Sequence, residues 1–329
     1  MVTSLTGRLA SSGARLVGWG RLGIGRNVAQ RARLPERGRG LAPPWSPKRT
    51  IIAVETIINY FLFGKEALRK IPVYQGASTP LLGGPVEWAL YHGRDGLGDV
   101  PDPNAPGLDH LQKEHAVIAM LRIVSEKPGQ ISLVATGPLT NLALAVKLDP
   151  TFPMKLKNMF IMGGNIESRG NTTICGEFNF ATDPEAAYVV LNEFTCPTYI
   201  ASWEFTCHNS LSWEFYREWV NQDTKKAKFM EKISAHSIKF TESKHENTGN
   251  MLWTSGFVSC DSYAMAAAID ESFVTKAIEV AVSVELNGSL TRGMMVMDMT
   301  GLLKKKNKAF VINKCDLEKF KELLIAALK

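Results

Sequence analysis

Two side chains in the segment 171–184 have the types and spacing that suit recognition of a sugar. Glu177 and Asn179 lie two residues apart, so on a strand or an extended loop both would face the same way. A carboxylate acceptor and an amide that both donates and accepts match the vicinal hydroxyl groups of a sugar. The alternative interpretation is a polar loop before a helix that begins at Asp183 and Pro184, with Asp183 as a structural cap.

A second candidate is the glycine-rich loop at 92–99, HGRDGLGD, which carries the carboxylates of Asp95 and Asp99. Glycine lets the backbone approach a ligand closely, so this loop could lie directly against a bound molecule. The alternative is a loop that is held only by Asx turns and has no ligand. The motif on its own does not decide between the two.

Two further segments could supply oxygen ligands to a hard cation. Residues 135–141 indicate a turn between a strand and a helix, where an exposed backbone carbonyl can bind such an ion. The alternative is that Thr140 or Asn141 only caps the helix. Asp261 opens a predicted helix over 263–269, and an aspartate at a helix start is usually a cap.

The elements that must position these residues indicate an α/β fold. Short apolar runs at 131–136, 159–162 and 198–201 alternate with helical segments, which is typical of parallel βαβ units with helices on both faces of the sheet. In such a sheet, ligands bind at the carboxyl ends of the strands. That rule selects the segments 93–98, 136–141, 163–165 and 203–206. The other predicted elements are a short strand at 71–74 and helices over 51–68, 108–127, 139–148, 183–192 and 316–329.

The composition is that of a globular protein with a basic leader. Hydrophobic residues make up 45% and charged residues 21%, and no apolar run is long enough for a transmembrane helix. Residues 1–50 hold nine arginines, one lysine and one acid, a charge near +9, so the net charge of +6 leaves about −3 for the rest. Because that remainder is mildly acidic and lacks an RNA-recognition or zinc-finger signature, we expect no nucleic-acid partner, and we expect no membrane partner.

The same contrast predicts two parts, a leader at 1–50 and one domain at 51–329. The leader is rich in arginine and poor in acids, which fits a mitochondrial transit peptide; the alternatives are a disordered extension or a segment with no selected role. Five scattered cysteines without a CxxC pair indicate a reducing compartment. We therefore predict a cytoplasmic protein, or a mitochondrial one if the leader acts as a transit peptide.

Six segments of the domain, taken in order, resemble the inosine–uridine-preferring nucleoside hydrolase family over about residues 52–329. They are HGRDGLGD, ATGPLTNLA, MGGN, EFNFATDPEAA, CDSYAMA and GSLTRG. The resemblance implies a single α/β domain that cleaves the N-glycosidic bond of purine or pyrimidine ribonucleosides with water, giving base and ribose. It also implies a tightly held Ca²⁺ that binds the ribose diol and the attacking water. The Thr136 carbonyl and the Asp261 carboxylate would be ligands of this ion.

The resemblance also implies the residues of the substrate pocket, which are Asn171, Glu177, Asn179, Met162, His92 and Asp95. The first three would hold ribose hydroxyls, Met162 would line the sugar pocket, and the last two would lie beside the site without an assigned role. The expected partner is therefore a ribonucleoside. Members of the family commonly assemble as dimers or tetramers, so the resemblance implies a homo-oligomer.

The chain departs from the family pattern at its front. The family begins with a strand that carries an aspartate cluster of the form DxDxxxDD, which supplies most of the calcium charge and the general base, whereas no aspartate precedes Asp95 here. Calcium takes six to eight oxygen ligands, so Asp261 and one carbonyl leave its site incomplete. Leu16-Val17 and Leu22–Ile24 are too short and too glycine-rich to replace the strand, so we expect the first strands of the sheet to be missing.

A second departure concerns the leaving group. Some family members place a histidine before the late aspartate as the acid for the leaving base, but Cys260 stands there. A thiol is a poor proton donor to a purine or a pyrimidine, and none of the six histidines obviously replaces it. The sequence therefore assigns no catalytic residue and predicts impaired hydrolysis. The alternatives are a non-catalytic family member that binds ribose or a nucleoside, and a truncated or alternatively started product.

Overall fold

A sheet of seven strands forms the centre of the described part of the protein. The computed structural model describes residues 16–18, 72–83, 91–93, 96–100, 111–248 and 256–329. The strands are β1 (Leu16–Gly18), β2 (Ile131–Ala135), β3 (Leu156–Met162), β4 (Thr198–Ala201), β5 (Val274–Val284), β6 (Met295–Asp298) and β7 (Ala309–Cys315).

Helices lie between and around these strands. They are α1 (Ala116–Glu126), α2 (Thr140–Leu148), α3 (Phe178–Thr182), α4 (Pro184–Glu193), α5 (Trp203–His208), α6 (Trp213–Val220), α7 (Lys225–Thr248), α8 (Cys260–Ile269) and α9 (Leu317–Leu328), with short 3₁₀ turns at Phe152–Lys155 and Glu271–Phe273. Among the residues described, none of the helices combines the length and the apolar character that crossing a lipid bilayer requires.

The strand order across the sheet is β1-β2-β3-β4-β7-β5-β6. The pairs from β1 through β7 are parallel, whereas β5 runs antiparallel to both β7 and β6. Helices connect β2 to β3 and β3 to β4, because a parallel pair needs a long crossover connection. The prediction of an α/β fold with a mostly parallel sheet is confirmed.

Helices cover both faces of the sheet because successive residues of the central strands point to opposite sides. In β3, Met159 and Ile161 pack with residues of α1, α2 and α4 in one buried cluster. Phe160 and Met162 of the same strand pack with residues of α5, α8 and α9 in another. Burial on both sides explains why residues 159–162 of β3 form a continuous apolar run in the sequence. The strand ends are therefore the positions where the sheet can meet a ligand.

The helix predicted over 108–127 is shorter in the structure, where α1 begins at Ala116. The imidazole of His115 accepts a hydrogen bond from the Val117 amide (3.3 Å), and the backbone of His115 is extended. This side chain caps the helix and ends it on the N-terminal side. Hydrophobic spacing does not reveal such a cap, because histidine is not among the residues that usually form one.

The strand predicted over 71–74 is not formed in its described part, 72–74. A single parallel bridge joins Tyr74 to Gln112 instead. Pro72 has no amide proton to donate to a strand ladder, which explains why the pairing does not extend. The helix predicted over 51–68 lies outside the described residues.

Residues 16–18 form a short strand at the edge of the sheet, although the sequence predicted that this segment would not replace a first strand. In β1, Leu16 lies opposite Ser132 and Gly18 lies opposite Val134 of β2. The edge of a strand offers a row of unpaired amides and carbonyls, which explains why even three residues pair there. β1 is only three residues long and carries no acid, so it does not supply the aspartate-bearing first strand of the family pattern.

Candidate functional site

The carboxyl ends of the central strands bring the predicted segments to one edge of the sheet. Thr136 directly follows β2, and the turn 163–165 directly follows β3. The Gly163 amide donates to the Ala201 carbonyl at the end of β4 (3.1 Å), so the ends of β3 and β4 lie side by side. Helix α8, which carries Asp261 in its first turn, packs against β2, β3 and β4.

A cavity of about 310 Å³ lies at this edge, and three of the predicted site residues line it. Thr136 lines it from the end of β2, Asp261 from the start of α8 beside Cys260, and His92 from its loop. Most of the remaining wall is apolar and comes from α7, α8 and α9. The cavity therefore combines a carboxylate and an imidazole with a mostly apolar wall that suits an aromatic ring.

Asp261 does not cap α8, so the simpler interpretation of its position is wrong. Ser259 is the N-cap residue and makes no side-chain capping bond. The Oδ1 atom of Asp261 is buried and has no hydrogen-bond partner. Burial raises the pKa of Asp261 from its ordinary value to about 7. An unpaired carboxylate oxygen with a raised pKa at the wall of a cavity is a candidate for contact with a ligand.

Glu177 is the N-cap residue of the short helix α3. Its Oε1 accepts from the Asn179 amide (2.9 Å), and its Oε2 accepts from the amides of Gly164 (2.9 Å) and Phe180 (3.2 Å). The side chain is almost completely buried, and burial raises its pKa to about 7 in spite of these three donors. The backbone of Glu177 is extended as predicted, but Asn179 lies in the helix, because the Glu177 carboxylate binds amides that the helix start leaves unpaired.

Asn179 still lies beside Glu177, now within α3. Its Nδ2 donates to the Met162 carbonyl at the end of β3 (2.9 Å), and its Oδ1 is buried without a partner. Asn171 joins the same region, because its Oδ1 accepts from the Phe178 amide (2.9 Å). The structure thus brings the predicted residues Asn171, Glu177, Asn179 and Met162 together around the start of α3. We call these four residues the α3 network.

Glu177 of the α3 network interacts electrostatically with Asp261 and Cys260, which line the cavity. Burial is the main cause of the raised pKa of Glu177, and the charge of Asp261 adds to it. Burial also raises the pKa of the Cys260 thiol to about 12, and the charges of Asp261 and Glu177 add to that shift. Interactions of this kind weaken with distance, so the three groups lie near one another. The Cys260 thiol therefore stays protonated at neutral pH.

His92 reaches the cavity because its loop packs closely on α7. The Gly98 amide donates to the His92 carbonyl and closes the loop (2.8 Å). A Cβ atom at Gly98 would lie 2.7 Å from the Ile233 carbonyl oxygen in α7, so this approach needs glycine. The glycines were predicted to allow a close approach to a ligand. At Gly98 the close approach is to helix α7 instead. Asp95 lies outside the described residues.

The turn after β2 is held by residues that are distant in the sequence. The N-cap of α2 is Leu139, not Thr140 or Asn141, so the predicted capping alternative is wrong. Thr140 Oγ1 donates to Asp183 Oδ2 (2.5 Å), and Asn141 Oδ1 accepts from the Ala77 amide (2.8 Å). Asp183 also caps α4, as predicted. These bonds fix the backbone that presents Thr136 to the cavity.

Two buried polar residues at this edge lie in the predicted segments 163–165 and 203–206, although neither was predicted individually as a site residue. Asn165 accepts from the Met295 amide through Oδ1 (3.0 Å), while its buried Nδ2 has no partner. The Glu204 carboxylate accepts from the amides of Ile166 and Glu167 (2.8 Å each) and shapes the turn after β3. Their position just after a strand is the available signal, but it does not distinguish a residue that binds a ligand from one that holds a turn.

The described residues do not make up a calcium site. Thr136 and Asp261 line the same cavity, but the oxygens of Glu177 already accept from three backbone amides. Within the ranges that the structure describes, no group of three or more His, Cys, Asp or Glu side chains could hold a metal. One carboxylate and one carbonyl fall short of the six to eight oxygens that Ca²⁺ takes, so these residues alone would bind it weakly.

Known proteins resemble this chain in sequence and in structure. Residues 52–322 match the family profile described as inosine-uridine preferring nucleoside hydrolase. The chain is 32% identical to the inosine-uridine preferring nucleoside hydrolase of Leishmania major, in an alignment covering 86% of this chain and 90% of that protein. It is also 32% identical to the pyrimidine-specific ribonucleoside hydrolase RihA of Salmonella arizonae, covering 79% and 80%. The solved structure of an inosine-guanosine nucleoside hydrolase matches with a TM-score of 0.69 and 33% identity, covering 79% and 82%.

Proposed function

The chain belongs to the inosine-uridine preferring nucleoside hydrolase family, and from that membership we propose that it binds ribonucleosides but hydrolyses their N-glycosidic bond poorly. One observation carries the proposal. The α3 network is fully assembled, whereas Asp261 is the one acidic side chain among the described residues that line the cavity beside it. The site is therefore better equipped to hold a sugar than to activate water.

Three buried polar atoms support the binding of a ribonucleoside. Oδ1 of Asn179, Oδ1 of Asp261 and Nε2 of His92 have no hydrogen-bond partner. Each such atom costs about 1–3 kcal/mol when left unpaired, and the hydroxyls and N–H groups of a nucleoside could satisfy it. We infer that Asn171, Glu177 and Asn179 face the ribose, with Met162 beneath it, and that the base lies against the apolar wall of the cavity. The family resemblance implies the same roles for these four residues, and the geometry of the α3 network supports them.

The chemistry of the site supports slow hydrolysis. Cleavage of an N-glycosidic bond needs an activated water, stabilisation of an oxocarbenium-like sugar and a proton for the leaving base. The Asp261 carboxylate can stabilise positive charge on the sugar, but its pKa of about 7 leaves it partly protonated at neutral pH. The Cys260 thiol, with a pKa raised to about 12 by burial, is too weak an acid to protonate the base. The described residues thus supply one of the three requirements.

We further propose that Ca²⁺ binds only weakly to the isolated protein. The Thr136 carbonyl and the Asp261 carboxylate would be its ligands, because both line the cavity. When bound in a complete site, such an ion lowers the pKa of water and orients the ribose diol. With so few ligands, the residues described here would orient the sugar through hydrogen bonds instead.

The oligomeric state and the location are proposed from the family resemblance and the leader. We propose a homo-oligomer, a dimer or a tetramer, in the cytoplasm, or in mitochondria if residues 1–50 act as a transit peptide. Light scattering on the purified chain measures the oligomer. Imaging of the full chain and of a variant without residues 1–50 tests the location, because a transit peptide that is removed can no longer direct import.

Calorimetry with inosine and uridine tests the binding half of the proposal. We expect binding in the presence of a chelator, since hydrogen bonds hold the sugar. The Asn179→Ala variant should bind at least about tenfold more weakly, because it removes a buried oxygen that has no other partner. Asn192→Ala is a matched control on the exposed side of α4, where Nδ2 donates to the Tyr188 carbonyl. Absence of heat with either nucleoside would refute the proposal.

A further inference from the structure

His92 is fixed to α7 by a contact that the family resemblance does not describe. The hydroxyl of Ser237, in the middle of α7, lies 2.9 Å from the Tyr91 carbonyl oxygen. The same Oγ lies 3.4 Å from Nδ1 of the His92 ring. Both Ser237 and His92 line the cavity, so the contact stands at the wall where a ligand would lie.

The two contacts of Ser237 determine where the proton of the His92 ring must be. A serine hydroxyl has one proton to donate, and a backbone carbonyl can only accept. The shorter contact, to the Tyr91 carbonyl, therefore takes the hydroxyl proton. Ser237 Oγ then offers a lone pair to His92, so Nδ1 of the ring must carry the N–H. In a neutral imidazole this leaves Nε2 without a proton, as an acceptor.

The surroundings of the ring keep it neutral. Burial lowers the pKa of His92 to about 3, so a second proton is not held at physiological pH. The Tyr91 ring packs edge-on against the imidazole, with 4.6 Å between the ring centroids, and limits its rotation. Nε2 is buried without a hydrogen-bond partner. The ring therefore presents one unsatisfied acceptor at a fixed place.

We propose that Ser237 is a positioning residue that holds His92 in its Nδ1–H tautomer, so that the Nε2 lone pair selects ligands that donate a hydrogen bond at this point. The inference rests on the proposed function, because it takes the occupant of the cavity to be a ribonucleoside. The ligands favoured are ribonucleosides with a hydroxyl or a ring N–H directed at His92. Analogues that lack this donor leave a buried acceptor unpaired and are disfavoured.

The tautomer is tested directly by nitrogen NMR of the full chain labelled with ¹⁵N-histidine. Protonated and unprotonated ring nitrogens have distinct shifts, and the His92→Phe variant identifies which signals belong to His92. We expect a protonated Nδ1 and a bare Nε2 in the wild type, and a rise of the Nε2–H form in Ser237→Ala. Ser234→Ala is the matched control, because Ser234 lines the cavity one turn earlier and contacts Tyr216, not His92. A wild-type ring protonated at Nε2 would overturn the proposal.

Selection of the ligand is tested by calorimetry with inosine, 1-methylinosine and 5′-deoxyinosine. The two analogues each lack one donor, the ring N–H or the 5′-hydroxyl. We expect one of them to bind the wild type about tenfold or more weakly than inosine, and we expect this ratio to shrink in Ser237→Ala but not in Ser234→Ala. Equal binding of all three by the wild type would contradict the selection. Absence of inosine binding would refute the proposed function, while the NMR result would still decide the tautomer.

Discussion

At the scale of single residues, the site depends on how each buried carboxylate is paired. Glu177 accepts hydrogen bonds from three backbone amides, whereas Oδ1 of Asp261 accepts from none. A carboxylate that holds backbone is needed for folding, and one with an unpaired oxygen costs stability until a ligand contacts it. Although both pKa values are raised to about 7, the two side chains should therefore respond differently to substitution.

Replacing Glu177 by alanine should destabilise the protein. The change removes the cap of α3 and leaves the amides of Gly164 and Phe180 buried without their acceptor, at a cost of about 2–4 kcal/mol. Urea unfolding measures the loss. Glu126→Ala is the control, because Glu126 is an exposed partner of Arg122 and its loss should cost less than about 1 kcal/mol. Equal losses in the two variants would show that Glu177 does not hold the turn.

Replacing Asp261 by asparagine should stabilise the protein at high pH. The folded pKa of about 7 lies above the ordinary 3.8, so between these values the folded state keeps a proton that the unfolded chain releases. The free energy of unfolding therefore falls as the pH rises from about 4 to about 7. The asparagine of the variant does not ionise, so the variant does not lose this stability. Urea unfolding in a chelator should show Asp261→Asn more stable than the wild type at pH 8, with an advantage that shrinks towards pH 4.

Replacing a second aspartate, Asp270, should change the stability in the opposite direction, so this variant serves as the control for the experiment. Hydrogen bonds lower the pKa of Asp270 from its ordinary value to about 2, and the largest effect comes from the Ser272 hydroxyl. Its contribution is present above the ordinary pKa and is lost as the pH falls. Asp270→Asn should therefore be slightly less stable than the wild type at pH 8, and the difference should fade below pH 4. The same sign for both variants would contradict the burial argument for Asp261.

At the scale of elements, the loop that carries His92 depends on its contact with α7. Gly98 has a φ of +76°, and a Cβ atom there would lie 2.7 Å from the Ile233 carbonyl oxygen, so a side chain meets both backbone strain and a clash. Gly129 has a similar φ of +71° but open space around it. Alanine substitutions at the two glycines therefore separate the free-energy cost of backbone strain from the cost of disturbing the contact between the loop and α7.

Gly98→Ala should lose more stability than Gly129→Ala and should also weaken nucleoside binding. The control variant has only the strain of a positive φ, about 1 kcal/mol, whereas Gly98→Ala must also push the loop away from α7. Unfolding and calorimetry on both variants measure the two effects. If Gly98→Ala binds inosine as the wild type does, the loop does not position His92 for the ligand.

The regular elements were predictable from the sequence where apolar runs are bounded by turn residues. The strand at 198–201 has the predicted bounds, and the strand ends that form the cavity follow from the rule for parallel sheets. Helix α3 was not predictable, because the Glu177 carboxylate that caps it is also held by the amide of Gly164, thirteen residues away. The contact of His92 with Ser237 spans 145 residues, so no local pattern indicates it.

At the scale of the whole molecule, the leader contributes to the sheet. Residues 16–18 pair along β2, so their removal uncovers the edge of a strand that is otherwise buried. Open edges of this kind promote association with other chains. The basic charge of the leader, near +9, does not oppose the pairing, because backbone hydrogen bonds form it.

Deleting residues 1–50 should lower the stability of the chain and increase its self-association. A deletion of residues 1–10 is the matched control, because it removes part of the leader and leaves β1 in place. Thermal unfolding and sedimentation velocity compare the two. A chain without residues 1–50 that is as stable and as monodisperse as the control would show that β1 does not protect the edge of β2.

The most direct test of the account is the release of base from inosine and uridine by the full chain, with and without added Ca²⁺, beside the Leishmania major relative under the same conditions. Since the described site lacks a leaving-group acid and most ligands of a metal, we predict turnover at least about a thousandfold below that of the relative, although both nucleosides bind. Turnover within tenfold of the relative would contradict the account.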